Sequence, residues 1–410
     1  MTERRVVITG VGLTSPIGNT LEEATAALRE GRHGIKAMPE WDTVGQLGTR
    51  LAGVVTVSLT GRPRQKTRAM GRVSLLAAYA CDQAIAQAGL TAADWETGRA
   101  GLAYGSTHGS TAEMEVFCRS LFANEGLAGI PGSSYLKFMS HTCAANLAQY
   151  YGIRGRVIPT VAACASASQA IGAGYEAIRY GLQDVMMCGG AEEMHSIHAG
   201  AFDLVYAAST GYNDRPDQSP RPFDAKRDGL VVSEGAGTLI LEDYEHAKAR
   251  SATIIAELTG YGTSCDGTHV TSPSSDGMAA AMQLCLQTAR LSPDRVDYIN
   301  AHATATEVGD IAESHAVAQV FKDQVPISST KGFTGHTLGA CGAIEAAFCI
   351  AMIRDGFLAP SRNLEQVDPR CAPLAYLQGE ARDATPQRLM SNNFAFGGIN
   401  TSLLIQRFDG

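Results

Sequence analysis

The chain has 410 residues, 45% of them apolar and 18% charged, with 44 glycines and a formal net charge of −8. That length and apolar content exclude a disordered chain and a single small domain, and the acidic balance excludes a general nucleic-acid binder. Ten cysteines are scattered without a CxxC pair or zinc spacing, and they read as reduced thiols of a cytoplasmic protein.

The N-terminal "MTERRVVITGVG" enters a strand-like run directly, with neither the apolar core of a signal peptide nor transit-peptide composition. No apolar run reaches the roughly 18 residues that a membrane span needs. "GVGLTSPIG" is not a dinucleotide fingerprint, because Ser15 replaces the third glycine. "RPRQKTRAMGR" gathers Arg62, Arg64, Lys66, Arg68 and Arg72 in an otherwise acidic chain. It reads as a solvated helix face or as a surface for an acidic protein. Short apolar runs then alternate with helix-period segments, the pattern of an α/β fold. The strands are "RVVITG", "AGLAYGS", "VMMCGGAE", "GTLILED", "YINAHAT" and "RLMSNNFAFGG". The helices are "SLLAAYACDQAIAQAGL", "ASASQAIGAGYEAIRYGL" and "DGMAAAMQLCLQTARL". The segment "STGYNDRPDQSPRPFDAKRDG", dense in Pro, Asp and Arg, is a loop that helps divide the chain between residues 210 and 250.

Two segments look like copies. "VIPTVAACASASQAIGAGYEAIRYG" and "VPISSTKGFTGHTLGACGAIEAAFCIAMIRDG" each run from a strand through small polar residues into a small-residue helix. Each closes on Ile-Arg-x-Gly, at Ile178–Gly181 and Ile353–Gly356. Helices so poor in bulk are suited to burial between layers. The pattern predicts a duplicated α/β unit, residues 1–250 and 251–410.

In the first copy Cys164 sits at the turn from strand to helix, in "TVAACASASQA". Unpaired backbone N–H groups and the helix dipole there favour thiolate, the nucleophilic form. Small neighbours leave room for a substrate carbonyl. A lone cysteine is ordinarily structural, so its companions carry the assignment. "NAHATATEVGD" supplies His302, followed by Thr304 and Thr306. "SSTKGFTGHTLGACGAIEAA" supplies His336, with Lys331 before it and Glu345 after it. The segment "AEEMHSIH" brings His195 and His198 beside Glu192 and Glu193 and reads as a polar turn, since a metal site needs a further matched ligand.

These segments, with "RVVITGVGLTSPIG", "RPFDAKRDGLVVSEGAGTLILEDYEHAKAR" and "NNFAFGGIN", resemble the β-ketoacyl-acyl carrier protein synthases of the thiolase superfamily, close to the elongating, KAS II-like enzymes. The likeness covers nearly the whole chain. It implies a duplicated five-layer α-β-α-β-α fold and a dimer, with no cofactor or metal. By the resemblance Cys164, in the half 1–250, takes an acyl group from acyl carrier protein. His302 and His336, in 251–410, serve malonyl decarboxylation, with Lys331 and Glu345 as supporting charges. It further implies an oxyanion hole from the N–H groups of Cys164 and Phe396, a gate at Phe396 and Phe202, and pantetheine binding at Thr304 and Thr306. Carrier docking would fall on Arg64, Lys66 and Arg68.

The chemistry agrees with those roles. Loss of carbon dioxide generates a carbanion without a strong base, and two neutral imidazoles can donate to the enolate oxygen. The chain departs from the family in "AACASAS", which lacks an acidic and a hydroxyl neighbour, and in "HAT" where "HGT" is common. These departures and "FDLVYAASTGYND" lean toward a dedicated polyketide or aryl-polyene-type pathway. A coenzyme A thiolase would need a second cysteine in the C-terminal glycine loop; "NNFAFGG" has none, and Cys341 lies elsewhere. A chain-length-factor subunit would lack the nucleophile, although this chain could be the active partner of one.

Overall fold

The computed structural model describes residues 3–410. Five strands of the first half are β1 (Val6–Thr14), β2 (Ala100–Gly105), β3 (Val157–Thr160), β4 (Val185–Glu192) and β5 (Gly235–Asp243). Five of the second are β6 (Ala256–Cys265), β7 (Tyr298–Asn300), β8 (Pro326–Ser328), β9 (Arg388–Ala395) and β10 (Ile399–Arg407). The first set is ordered β3-β2-β4-β5-β1 and the second β8-β7-β9-β10-β6, with Ala375–Tyr376 added outside β8. In both sets the first three strands are parallel and the next two pairings antiparallel. Identical order and polarity in two successive halves are the mark of a duplicated unit. The halves join at their edges, where Val7 and Ile8 face Glu257 and Ala256.

Helices make the layers. α1 (Arg72–Ala88) and α2 (Thr142–Tyr151) cover the outer face of the first half. α4 (Ser275–Ala289) and α5 (Glu307–Phe321) cover the outer face of the second. Between the two halves lie α3 (Ser166–Arg179) and α6 (Cys341–Asp355), which pack on strands of both. Every residue of α6 from Cys341 to Ile353 is buried. A helix surrounded on all sides must be apolar nearly all round, and that is why its buried stretch carries one charged residue, Glu345, and no polar face. The result is the duplicated α-β-α-β-α thiolase-like architecture with one central core shared by both halves.

Glycine makes the layers close. A side chain at Gly12 of β1 would put Cβ 2.0 Å from the Ala80 carbonyl oxygen of α1. At Gly262 of β6 it would lie 2.1 Å from the Ala281 oxygen of α4. The same close approach thus recurs in the second copy. It also explains where the sequence pattern misled. β1 runs on past Gly10 to Thr14, and β6 ("AELTGYGTSC"), a long central strand, is not among the expected ones. β10 was likewise not expected, and "YINAHAT" stops being a strand at Asn300, which leaves His302 on a loop.

Candidate active site

The chain approaches Cys164 from β3 and makes one 3₁₀ turn, Ala163–Ala165, before α3 begins. Ala163 adopts φ +46°, a left-handed conformation that costs an alanine energy and sharpens the turn. The second copy repeats this. Leu338, φ +47°, opens the 3₁₀ turn Leu338–Ala340 ahead of α6, so Gly339 stands where its twin holds Cys164. One copy of the elbow carries Cys164; the other brings a histidine to it.

That histidine is His336, whose main chain is pinned by bonds from His336 N–H to the Val231 oxygen and from Ser233 N–H to the His336 oxygen, 2.7 and 2.9 Å. Its Nε2 lies 2.9 Å from Cys164 Sγ. His302 comes from the loop after β7, where the N–H groups of His302 and Ala303 donate to the two Glu313 oxygens, at 2.8 and 2.7 Å. The two imidazoles meet edge to face, centroids 5.2 Å apart. One ligand atom from each of Cys164, His302 and His336 falls within 4.8 Å of the others. The three residues that lie far apart in sequence therefore share one point in space.

Lys331 and Glu345 lie beneath them, both buried. The Lys331 ammonium is hydrogen-bonded to Glu345 Oε1, and Asn393 Nδ2 donates to Glu345 Oε2 at 2.7 Å. Burial, with Lys331 nearby, drives the pKa of both His302 and His336 well below the ordinary imidazole value, so both are neutral at neutral pH. Neutral rings can still donate one N–H each.

The thiol departs from expectation. Burial pushes Cys164 up to about 12, and the Lys331 charge only partly offsets it. Closure of the site around the sulfur outweighs the helix-terminus effect that favours thiolate, so the resting form is the thiol.

A cavity of about 460 Å³ opens onto these groups, lined by Cys164, His302, His336, Thr304, Thr306 and Phe396 among others. The Thr304 and Thr306 hydroxyls are 3.1 Å apart. Phe396 sits in the turn between β9 and β10, next to Gly397 and Gly398, both at positive φ. Its ring centroid is 5.7 Å from that of Phe202, which also lines the cavity.

The basic run lies elsewhere and divides. Arg64, Lys66 and Arg68 are exposed, on and beside the short helix Arg64–Thr67. Arg62 instead pairs with Asp82 and Arg72 with Glu234, both at 2.6 Å, so these two cations are engaged within the fold. Glu192 and Glu193 also turn inward. Glu192 accepts N–H bonds from Thr107 and Gly339, and Glu193 from Val73 and Ala112.

Glu313, Asp310 and Asn393 were not anticipated. Asp310 takes the N–H groups of Phe223 and Ala305, and Glu313 holds the His302 loop. Burial raises their carboxyls to about 6 and about 8. The available signal was an acidic residue on the apolar stripe of "EVGDIAESHAVAQVF", with Asp310 and Glu313 on the same face as Val317.

Comparison with known proteins accords with this geometry. Residues 3–247 match the β-ketoacyl synthase N-terminal domain and residues 255–365 the C-terminal domain. The 3-oxoacyl-[acyl-carrier-protein] synthase 1 of Haemophilus influenzae is 38% identical over 409 residues, 99% of this chain and 100% of that protein. The crystal structure of a β-ketoacyl synthase from Burkholderia phymatum STM815 superposes with TM-score 0.96 at 49% identity, covering 99% of this chain and 100% of that one. The ishigamide ketosynthase/chain length factor gives TM-score 0.92 at 32% identity, over 99% and 100%. With both halves matched and the elbow, the imidazole pair and the buried ion pair in place, the chain belongs to the β-ketoacyl synthase family of condensing enzymes.

Proposed function

We propose that this ketosynthase holds an acyl group on Cys164 and extends it by decarboxylative Claisen condensation with a malonyl thioester carried by acyl carrier protein. The observation that supports this best is the convergence of Cys164, His302 and His336 on one cavity floor. In the first step the sulfur attacks the acyl thioester. Its proton passes to the departing pantetheine thiol, with His336 Nε2, 2.9 Å away, as the relay. The cost of exposing a thiolate in a buried site is then confined to the moment of attack. In the second step the malonyl carboxylate leaves as carbon dioxide. The negative charge that develops on the thioester oxygen is stabilised by N–H donation from the two neutral imidazoles. The enolate carbon attacks the Cys164-bound carbonyl, whose oxygen is received by the N–H groups of Cys164 and Phe396. Collapse of that adduct breaks the bond to the Cys164 sulfur and releases the β-ketoacyl product, and the thiolate takes a proton from solvent water through His336.

Lys331 and Glu345 act by charge and position. Lys331 adds its charge to the burial that keeps the imidazoles unprotonated, and it draws the thiol toward ionisation. Thr304 and Thr306, at the cavity wall, bond the pantetheine arm, and Phe396 with Phe202 gates the acyl side. No cofactor is needed for this sequence of steps.

The relatives are named for acyl carrier protein or for a chain length factor, and both partners suit this chain. Strand β3 is an open sheet edge, and Val157 on it and Val161 just after it are exposed. Such an edge demands cover, and a second ketosynthase-fold chain, its own copy or a cysteine-less partner, supplies it. No helix among the described residues is long and apolar enough to cross a membrane. We place the enzyme in the cytoplasm, where its ten free cysteines stay reduced, in fatty-acid or polyketide synthesis.

The test is intact-mass detection of the acyl enzyme. Cys164→Ala should take up no acyl group from acyl carrier protein yet still release carbon dioxide from malonyl carrier protein. His302→Ala and His336→Ala should acylate but release it slowly. A stable adduct on the Cys164→Ala protein would overturn the assignment.

A further inference from the structure

The first residue of each central helix braces an elbow, but the two do so differently. Ser166 opens α3 just after the turn that holds Cys164, and Cys341 opens α6 just after the turn that holds Gly339. Ser166 serves its own elbow. Its hydroxyl donates to the Ala163 oxygen at 2.7 Å and accepts from the Ala162 N–H at 2.9 Å. Cys341 reaches across to the other copy, and its thiol donates to the main-chain oxygen of Cys164 at 3.2 Å. Both braces therefore fall on the turn that carries the sulfur. That turn needs them, because Ala163 sits at φ +46° and such a conformation persists only where its neighbours over-determine it.

The Cys341 thiol is itself held. Asn393 Nδ2 donates to its sulfur at 3.4 Å, and the same amide group donates to Glu345 Oε2 at 2.7 Å. Glu345 in turn is paired with the Lys331 ammonium. One chain of bonds thus runs from the ion pair through Asn393 and Cys341 to the backbone of Cys164, and every member of it is buried. Burial, with the charge of Glu345 close by, pushes the Cys341 thiol well above its ordinary value, so the sulfur keeps the hydrogen that it donates. The two helices leave little slack at this point. A Cβ on the next residue, Gly342, would stand 2.9 Å from Ser168 Cβ.

We infer that Cys341 is a positioning residue for the nucleophile: by holding the Cys164 carbonyl it fixes the turn on which the sulfur and the Cys164 N–H depend. The inference rests on the condensing-enzyme reading above. Cys341 does not line the cavity, so its effect passes through the main chain of Cys164. In that reading the Cys164 N–H receives the acyl oxygen. A turn free to rock would spoil the aim of this donor and the 2.9 Å approach of Sγ to His336 Nε2. Attack on the acyl thioester needs both. Loss of carbon dioxide from the malonyl group needs the imidazoles instead, and their loops are pinned by other bonds.

The test compares Cys341→Ala with Cys341→Ser. Both remove the bulk of the sulfur and only serine keeps a donor, so a difference between them reports the bond and not the packing. Acylation of Cys164 by octanoyl-pantetheine is read by intact mass over time and over donor concentration. Its rate at saturating donor should fall by about three- to tenfold in Cys341→Ala, with the half-saturating concentration nearly unchanged. Cys341→Ser should recover most of that loss. Carbon dioxide release from malonyl carrier protein should change little in either variant, and melting temperatures report that each is folded. Equal slowing in the two variants would overturn the inference, as would an alanine variant that acylates at the wild-type rate. Acylation and carbon dioxide release that fall together with the melting temperature would make Cys341 a packing residue and overturn it as well. Failure of the wild-type enzyme to take an acyl group on Cys164 from octanoyl-pantetheine, acetyl-pantetheine or acyl carrier protein would overturn the condensing-enzyme reading itself, and this inference with it.

Discussion

The sulfur of Cys164 is poised by contact rather than by charge, and this has a measurable consequence. Its pKa is pushed up to about 12 by burial, so the thiolate fraction should grow about tenfold for each pH unit through the neutral and mildly alkaline range. Alkylation of Cys164 by iodoacetamide, followed by mass, should therefore rise steadily from pH 7 to pH 10. A plateau below pH 8 would mean that His336 already holds the proton. Beneath the sulfur, Lys331 and Glu345 form a fully buried ion pair, and removing one member strands the other. Lys331→Met or Glu345→Leu alone should each cost about 3 kcal/mol or more of stability, whereas the double variant should cost clearly less than the sum. Urea unfolding of the four proteins measures this, and simple additivity would show that the pair does not act as a unit. At this scale the sequence was legible where chemistry demands a rare residue in an odd setting. A cysteine among alanines, a histidine at the end of a strand-like run and another in a Gly/Thr loop stood out. Glu313 and Asn393 did not, because their work is to bond backbone and carboxylate groups that only the folded chain brings near.

Among the elements, α6 bears the most constraint, since it touches both halves of the sheet, α3 and the turn that carries Cys164 at once. Its small-residue composition was readable as burial between layers. The strand β6 was not, because its glycines and polar residues break the apolar run until a helix is seen to lie against it. Gly342 shows how close the central helices run. A Cβ there would stand 2.7 Å from Ser168 N and 2.8 Å from Asn393 Oδ1. Neither atom belongs to the free end of a long side chain, so the helices themselves must part. Gly342→Ala should lower stability by about 1–3 kcal/mol through overpacking. Because Asn393 also holds Glu345, the displacement should reach the buried Lys331–Glu345 pair and slow acylation of Cys164. The urea midpoint and the acylation rate should fall together. An unchanged midpoint would mean that the layers can slide apart without cost.

For the molecule as a whole, the question is how an acidic protein of net charge −8 receives an acidic carrier. Long-range repulsion is screened over about 8 Å at physiological salt, so the local surface decides the encounter. Folding has sorted the basic run. Arg62 and Arg72 serve internal ion pairs, which leaves Arg64, Lys66 and Arg68 facing solvent on one short helical stretch. They lie apart from the residues lining the cavity, as a docking site must if the pantetheine arm is to span the distance. Reversing these three charges to Glu should raise KM for carrier-borne acyl substrate by about tenfold, because rim charges act mainly on association. It should leave the reaction with a free pantetheine thioester nearly unchanged, since that substrate has no protein surface to dock. Added salt should weaken the wild-type enzyme toward carrier substrate in the same way and have little effect on the variant. Equal loss with both substrates would mean damage to the fold or the cavity. An unchanged KM for the carrier substrate would reduce the patch to a solvated helix face and leave docking to the apolar rim around the cavity mouth, where Leu204 and Tyr206 stand exposed.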